Sequence, residues 1–104
     1  MEAISDKKIA TELAPLLDAL GNPARLQILL HLAKTQCCPA CKIVEKLPLA
    51  QSTVSVHMSK LKKAGLIKSA AEGNHQNYKL SEQGLMHVKN IFDKFINEIT
   101  VTLK

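Results

Sequence analysis

Three cysteines lie within the five-residue segment CCPAC at positions 37–41. Thiolates bind soft metal ions, so Cys37, Cys38 and Cys41 together are a candidate site for As(III), Cd(II) or Zn(II). Cys38 and Cys41 also form a C-x-x-C pair at the start of a predicted helix, a position that suits reversible oxidation. The alternative is that these small apolar side chains only fill the end of that helix. No other cofactor site is indicated.

The segment from Lys46 to Ala71 contains no Asp or Glu, although the chain has nine acidic residues in all. Five lysines lie in this segment, at positions 46, 60, 62, 63 and 68. The whole chain has a formal net charge of +5, and such an excess favours polyanionic partners. Proteins that bind single strands usually stack bases on several aromatic rings. Because this chain has only one Tyr and two Phe, its composition favours duplex DNA.

A helix predicted over 51–64 turns a narrow apolar stripe (Val54, Met58 and Leu61) inward. Its other side carries short polar side chains, one methyl-bearing residue and lysines. Hydroxyl groups and a small apolar side chain can read base edges in the major groove, and lysines reach phosphates. The candidate DNA contacts on this helix are Gln51, Ser52, Thr53, Ser55, Val56, Ser59, Lys60, Lys62 and Lys63. Any one of them taken alone is more typical of a solvated surface, and the inference rests on the whole set in a helix-turn-helix. His57 borders the stripe and is predicted to be packed and hydrogen-bonded.

The elements that must position this helix can be read from apolar spacing. A first helix is predicted over 5–20, closed by Gly21 in the left-handed conformation. A second, capped by Asn22, is predicted over 23–34, with its inward face formed by Leu26, Leu29, Leu30 and Ala33. A third, short helix is predicted over 39–46, so that the segment 39–64 forms a helix-turn-helix.

The rest of the chain is predicted to form a small hairpin over 66–80 and a long helix over 81–103, capped by Ser81. Seven apolar residues follow near-heptad spacing in that helix: Leu85, Val88, Phe92, Phe95, Ile96, Ile99 and Leu103. One long core helix is one interpretation. A seam with a second copy is the other, and it is favoured because the first helix offers another uncovered apolar stripe.

Three motifs in this order resemble the ArsR/SmtB-type repressors. LGNPARLQIL at 20–29 is similar to their A-L-x-x-P-x-R-L-x-I-L opening, and LAQSTVSVHMSKL at 49–61 with AGLI at 64–67 is similar to their recognition segment. Residues 73–78 and Leu80 resemble their wing. The resemblance implies a winged-helix homodimer joined through its terminal helices. It also implies repression at operators with two-fold symmetry and release of DNA when an inducer binds.

Several residues depart from that family pattern. Ala50 stands where the family usually has the serine that caps the recognition helix. In the wing, Asn74 replaces a frequent Arg or Lys, so the wing contacts are expected from Asn74, His75 and Gln76. The family often has a C-x-C in the third helix; Cys41 matches one of those cysteines, whereas Pro39 occupies the place of the other.

Together these features predict a mainly α protein with a small β-hairpin, in the order helix, helix, helix, helix, strand, strand, helix. We expect one winged helix-turn-helix domain over 1–104, with a recognition helix at about 51–64, a wing at about 66–80 and dimerisation helices at about 5–20 and 81–103. We predict a cytosolic, sequence-specific repressor that binds duplex DNA. The protein is not expected to bind a membrane or to be an enzyme. The alternative is a thiol redox or metal-carrier protein whose basic surface binds a protein partner.

Overall fold

The computed structural model of the chain describes residues 5–35, 38–39, 49–72 and 75–103. Four α-helices form within those ranges: α1 (Asp6–Leu20), α2 (Pro23–Thr35), α3 (Gln51–Lys63) and α4 (Glu82–Thr100). The strands there are β1 (Cys38–Pro39), β2 (Ile67–Glu72) and β3 (His75–Leu80). A short 3-10 helix, Val101–Leu103, continues α4. The predicted fold class, mainly helical with a small hairpin, is confirmed.

Side-chain caps begin three of these helices. Ser5 at α1 and Ser81 at α4 each accept a hydrogen bond of 3.2 Å from the backbone N–H three residues later. Asn22 caps α2, as predicted, by accepting a hydrogen bond of 2.8 Å from the N–H of Ala24. Each cap satisfies a backbone donor that the first turn of a helix leaves without an internal partner.

The end of α1 differs from the prediction. Gly21 follows the helix, but its φ is −80°, outside the left-handed region. A Cβ at this position would lie 3.1 Å from the carbonyl oxygen of Leu17, which is tighter than ordinary van der Waals contact. Glycine is therefore favoured here by close packing on α1 rather than by its backbone conformation.

The predicted inward face of α2 was wrong for Leu26, Leu30 and Ala33, which are exposed, whereas Leu29 packs against the main core. Ile28 and Leu32 are fully buried and Arg25 is 7% exposed, whereas Leu26 and Leu30 are 45% and 62% exposed. Apolar residues surround this helix on nearly all sides, so their spacing does not define one face. The helix instead buries the residues at positions i, i+3 and i+7 from Arg25, a face that includes one cation.

The buried apolar residues form two clusters. The larger one joins α2, α3 and the sheet, and its members are Ala19, Ile28, Leu32, Val54, Met58, Leu61, Leu66 and Ile67. The smaller one joins α1 to α4 and consists of Ile9, Leu13, Leu16 and Ile91. Ala64 and Val88 pack against both. The helix that was predicted to read DNA is thus anchored in the main core, and the terminal helices hold a core of their own.

The sheet contains one strand more than the predicted hairpin. β2 and β3 pair antiparallel from Ile67 opposite Leu80 to Glu72 opposite His75. β1 pairs with the other side of β3, with Cys38 opposite Tyr78 and Pro39 opposite Asn77. β1 is an edge strand, the place where a proline without an N–H is tolerated in a sheet.

The third helix therefore does not start at Pro39, as the sequence predicted, because Pro39 belongs to β1. The remaining residues of that prediction, 40–46, lie outside the described residues, so the helix count of the predicted order is corrected to four over the described ranges. In those ranges no helix combines the length and the apolar composition needed to cross a bilayer.

Candidate nucleic-acid interface

The orientation of α3 is set by its buried stripe. Val54, Met58 and Leu61 are buried at 1%, 3% and 0% exposure, which matches the predicted inward face. Because the helix repeats every 3.6 residues, burial of this stripe turns the other side chains outward. The nine candidate contacts on the helix are all exposed: Gln51, Ser52, Thr53, Ser55, Val56, Ser59, Lys60, Lys62 and Lys63.

An open groove of about 740 Å³ runs along this exposed side. Hydroxyl groups and one valine form part of its lining and ammonium groups the rest, in the set Ser55, Val56, Ser59, Lys60, Lys62 and Lys63. No carboxylate lines it. A surface of this kind can donate and accept hydrogen bonds, contact a methyl group and attract phosphates, but it contains no catalytic nucleophile–base pair.

The C-terminus of α3 is closed by Gly65 in the left-handed conformation, with φ of +81°. The N–H of Gly65 donates to the carbonyl of Lys62 and the N–H of Leu66 to the carbonyl of Leu61, both at 3.0 Å. This pair of bonds is a Schellman motif, in which glycine avoids the steric cost of positive φ. The next strand leaves at once from this turn, so the end of α3 and the wing are fixed relative to each other.

The N-terminus of α3 has the opposite character. Ala50 has the extended conformation of a helix cap (φ −64°, ψ 150°) but provides no side-chain hydrogen bond. The departure noted at this position thus has a structural counterpart, since the backbone is set for a cap that the side chain cannot make.

We expect Ala50→Ser to raise the stability of the protein by about 1 kcal/mol, because the new hydroxyl can accept from a backbone N–H in the first turn of α3. For a domain of this size, that corresponds to an increase in Tm of roughly 4–8 °C. Thermal unfolding followed by circular dichroism measures it. Ala33→Ser, the same change at an exposed interior position of α2, should lower Tm slightly. Equal effects of the two variants would contradict the assignment of Ala50 as an empty cap.

His57 of α3 and Arg25 of α2 are close enough to interact electrostatically. Arg25 Nη2 donates to the carbonyl oxygen of Asp18 at 3.4 Å. Arg25 Nε and His57 Nδ1 are both buried, and neither has a hydrogen-bond partner among the described residues. Burial lowers the pKa of His57, and the positive charges of Arg25 and Lys60 lower it further. His57 is therefore half-buried with its neutral form favoured, and the predicted hydrogen bond is absent at Nδ1.

Arg25 was missed when the sequence was read for functional residues. It shares a helical face with Ile28 and Leu32, and that spacing was the signal available. Its burial fixes a positive charge at the junction of α1 and α2, close enough to affect the titration of a residue on α3.

The other candidate residues are only partly within view. Asn74 lies outside the described residues, and for His75 and Gln76 only the backbone in β3 is described. Cys37 and Cys41 also lie outside the described residues, whereas Cys38 lies in β1. The C-x-x-C pair therefore does not begin at a helix start. No group of three or more His, Cys, Asp or Glu side chains able to hold a metal ion occurs in the part of the chain that the structure describes.

Comparison with known proteins points to one family. The family model described as "Bacterial regulatory protein, arsR family" matches residues 22–69. An uncharacterised HTH-type transcriptional regulator of Methanocaldococcus jannaschii is 35% identical over 81 residues, 78% of this chain and 91% of the relative. The arsenical resistance operon repressor of Staphylococcus xylosus is 33% identical over 79% of this chain and 78% of its own length.

A solved structure agrees with these relatives. The crystal structure of NolR from Sinorhizobium fredii is similar with a TM-score of 0.70 and 30% identity, covering 95% of this chain and 96% of that one. The matched family segment contains α2, α3 and the start of the wing, and α3 is the element that carries the exposed groove. The chain therefore belongs to the ArsR family of bacterial regulatory proteins, winged helix-turn-helix proteins that bind DNA and regulate transcription.

Proposed function

We propose that the protein is a homodimeric transcriptional repressor that binds operator duplexes with two-fold symmetry, with α3 of each copy in the major groove. The observation that carries this proposal is the exposed face of α3, which has hydroxyls, one valine and lysines and no acid. The relatives named above include a repressor, and family membership sets aside the thiol-carrier interpretation.

We assign different roles to different side chains on the exposed face of α3. Gln51, Ser52, Ser55, Val56 and Ser59 are short or flexible enough to let the helix approach base edges, and they provide sequence preference. Lys60, Lys62 and Lys63 bind phosphates and provide affinity that depends on salt. We propose that the wing, through Asn74, His75 and Gln76, contacts the DNA backbone beside the major groove. Thr53 completes the set on the first turn of the helix.

The distribution of charge supports the same orientation. Acidic residues are concentrated in the terminal helices, at Asp6, Glu12 and Asp18 in α1 and at Glu82, Asp93 and Glu98 in α4. The lysines of α3 face a different side of the molecule, free of carboxylates. The terminal helices also carry Lys7, Lys8, Lys89 and Lys94, so their charges are mixed. A duplex is therefore attracted more strongly to the acid-free side of α3 than to α1 and α4.

Pairing through α1 and α4 is supported by what these helices leave uncovered. A largely apolar groove of about 380 Å³ lies between them. Its lining consists of seven apolar residues and two carboxylates: Ile9, Ala10, Leu13, Ala14, Leu17, Phe95 and Ile99, with Asp6 and Glu98. Leu17, Phe92 and Ile99 are exposed although they are large and apolar. Contiguous apolar surface of this kind on a small protein is typical of an interface. A second copy brings the same stripe and can cover it with two-fold symmetry.

The cysteines keep the role predicted from sequence. Release from DNA through metal binding or oxidation at Cys37, Cys38 and Cys41 stays a prediction, with As(III), Cd(II) and Zn(II) as the candidate inducers. Thiolates would supply soft ligands to such an ion.

The test of the DNA-binding proposal compares Lys60→Ala with Ser55→Ala. Lys60→Ala should weaken binding on all duplexes and reduce the slope of log K against log salt by about 1, because one phosphate contact is lost. Ser55→Ala should mainly reduce the preference for operator over random duplex. Fluorescence anisotropy titrations at several salt concentrations measure both. Lys94→Ala, at an exposed position of α4, is the control and should change neither. Equal losses on operator and random DNA for both variants would refute the assigned division of roles.

A further inference from the structure

Gly84, in the first turn of α4, sits directly against the turn that ends the recognition helix. A Cβ on Gly84 would overlap the carbonyl oxygen of Gly65 and lie 2.7 Å from its carbonyl carbon. The atoms in the way are backbone, held in the Schellman motif that closes α3, so they cannot turn aside as a side chain can. Only glycine at position 84 permits this approach of the two helices.

Two hydrogen bonds hold the same contact in place. The backbone N–H of Ser81 donates to the carbonyl of Leu66 at 2.9 Å, which joins the residue before α4 to the residue after the α3 turn. The Ser81 hydroxyl accepts from the N–H of Gly84 at 3.2 Å and is buried with its residue at 5% exposure. The start of α4 is therefore bonded to the end of α3 and also in hard contact with it.

The second half of α4 bears the exposed apolar residues of the proposed seam, including Phe92 and Ile99. A helix is stiff because its backbone hydrogen bonds fix the rise at about 1.5 Å per residue. A change in the angle of α4 at Gly84 therefore displaces the residues further along the helix. The contact at Gly84 thus lies on the path that connects the recognition helix of one copy to the seam shared with the other.

We propose that Gly84 is a positioning residue for DNA binding: its bare Cα, seated on the Gly65 carbonyl, sets the angle between α4 and α3 and so the separation of the two recognition helices in the dimer. The inference rests on the proposed function. Helices that enter successive major grooves must lie about 34–36 Å apart, so a small change of angle alters which half-site spacing fits. An alanine methyl at position 84 must displace α4 from the turn to relieve its overlap with backbone atoms.

The experiment uses the full chain and a duplex enriched by the wild-type protein from a random pool. The spacing between its half-sites is then varied one base pair at a time, and a duplex with one half-site is included. We expect Gly84→Ala to bind the wild-type optimum at least about 10-fold more weakly, with its best spacing shifted by about one base pair or more. Its affinity for the single half-site should stay within about 2-fold of wild type, since the face of α3 is unchanged.

A matched control separates positioning from a loss of stability. Asn22→Ala removes the side chain that caps α2 through a hydrogen bond of 2.8 Å from the N–H of Ala24, on an element that belongs to neither the α3 turn nor the proposed seam. It should lower Tm but leave the spacing optimum unchanged when binding is measured well below Tm. A folded Gly84→Ala protein with wild-type affinity and wild-type spacing overturns the inference.

Ser81→Ala decides the question if Gly84→Ala does not fold. This variant adds no bulk and removes only the hydroxyl that accepts from Gly84, so the first turn of α4 loosens against Gly65. A broadened or shifted spacing preference supports the inference, and an unchanged one overturns it. A wild-type protein that enriches no duplex would refute the proposed function itself, a result that none of the Gly84 outcomes resembles.

Discussion

Ile99→Glu is expected to convert the protein from a dimer to a monomer and to lower its affinity for a two-half-site duplex by at least about 100-fold. Ile99 lies at the apolar groove between α1 and α4 and is exposed in the single chain. In the proposed seam a carboxylate would be buried without a partner, at a cost of about 3–5 kcal/mol per site. Because 1.4 kcal/mol corresponds to a factor of 10 in the dissociation constant, even a cost of about 3 kcal/mol weakens pairing by roughly 100-fold.

Sedimentation and fluorescence anisotropy measure the two effects on the same samples. Asn90→Glu introduces the same charge into the same helix at an exposed position on the opposite face, and it should leave both association and DNA affinity near wild type. Loss of affinity is expected because each copy alone contacts one half-site. A dimeric Ile99→Glu protein would place the seam elsewhere.

Leu32→Ala should destabilise the protein by about 2–5 kcal/mol, whereas Leu30→Ala should cost much less. Both changes delete the same atoms from the same helix, two residues apart. Leu32 is fully buried in the main cluster, so the substitution leaves a cavity as well as removing apolar contacts. Leu30 is 62% exposed, so most of its surface is in water before and after the change.

Urea unfolding of the two variants checks this directly, with the same slope expected for both. It also tests the corrected face of α2, because the sequence had placed Leu30 inside. A larger loss for Leu30→Ala would mean that this side chain is covered in solution, and the comparison should therefore be repeated in the Ile99→Glu background to separate folding from association.

The sequence predicted the buried face of a helix correctly where the apolar residues of that helix lie on one side only. On α3 the apolar residues Val54, Met58 and Leu61 lie on one face among serines and lysines, so their spacing alone determined which side is exposed. The spacing was ambiguous in α2, because four leucines and one isoleucine lie among its thirteen residues and four of these five are in the run from position 26 to position 30. Which of them face inward depends on how α1 and the sheet pack, and that packing also buries Arg25, a residue whose charge argued for the surface.

Two further features required the tertiary structure. The requirement for glycine at position 84 cannot be predicted from the sequence around it. The atoms that exclude a methyl group there belong to Gly65, which is distant in sequence. β1 is also set by a partner, because Cys38 and Pro39 become a strand only through pairing with β3. The proline and the C-x-x-C spacing favoured a helix start, and edge-strand pairing prevailed over that local preference.

The division of the core into two clusters has a consequence for how the protein persists in a cell. Of the described residues, only four are buried between α1 and α4, half as many as in the other cluster. If the twin chain covers these helices, folding and assembly draw on the same contacts, and mass action links them. Newly made chains at low concentration would then be mostly unpaired and most accessible to proteases. Degradation would therefore remove unpaired chains and leave mainly assembled dimers.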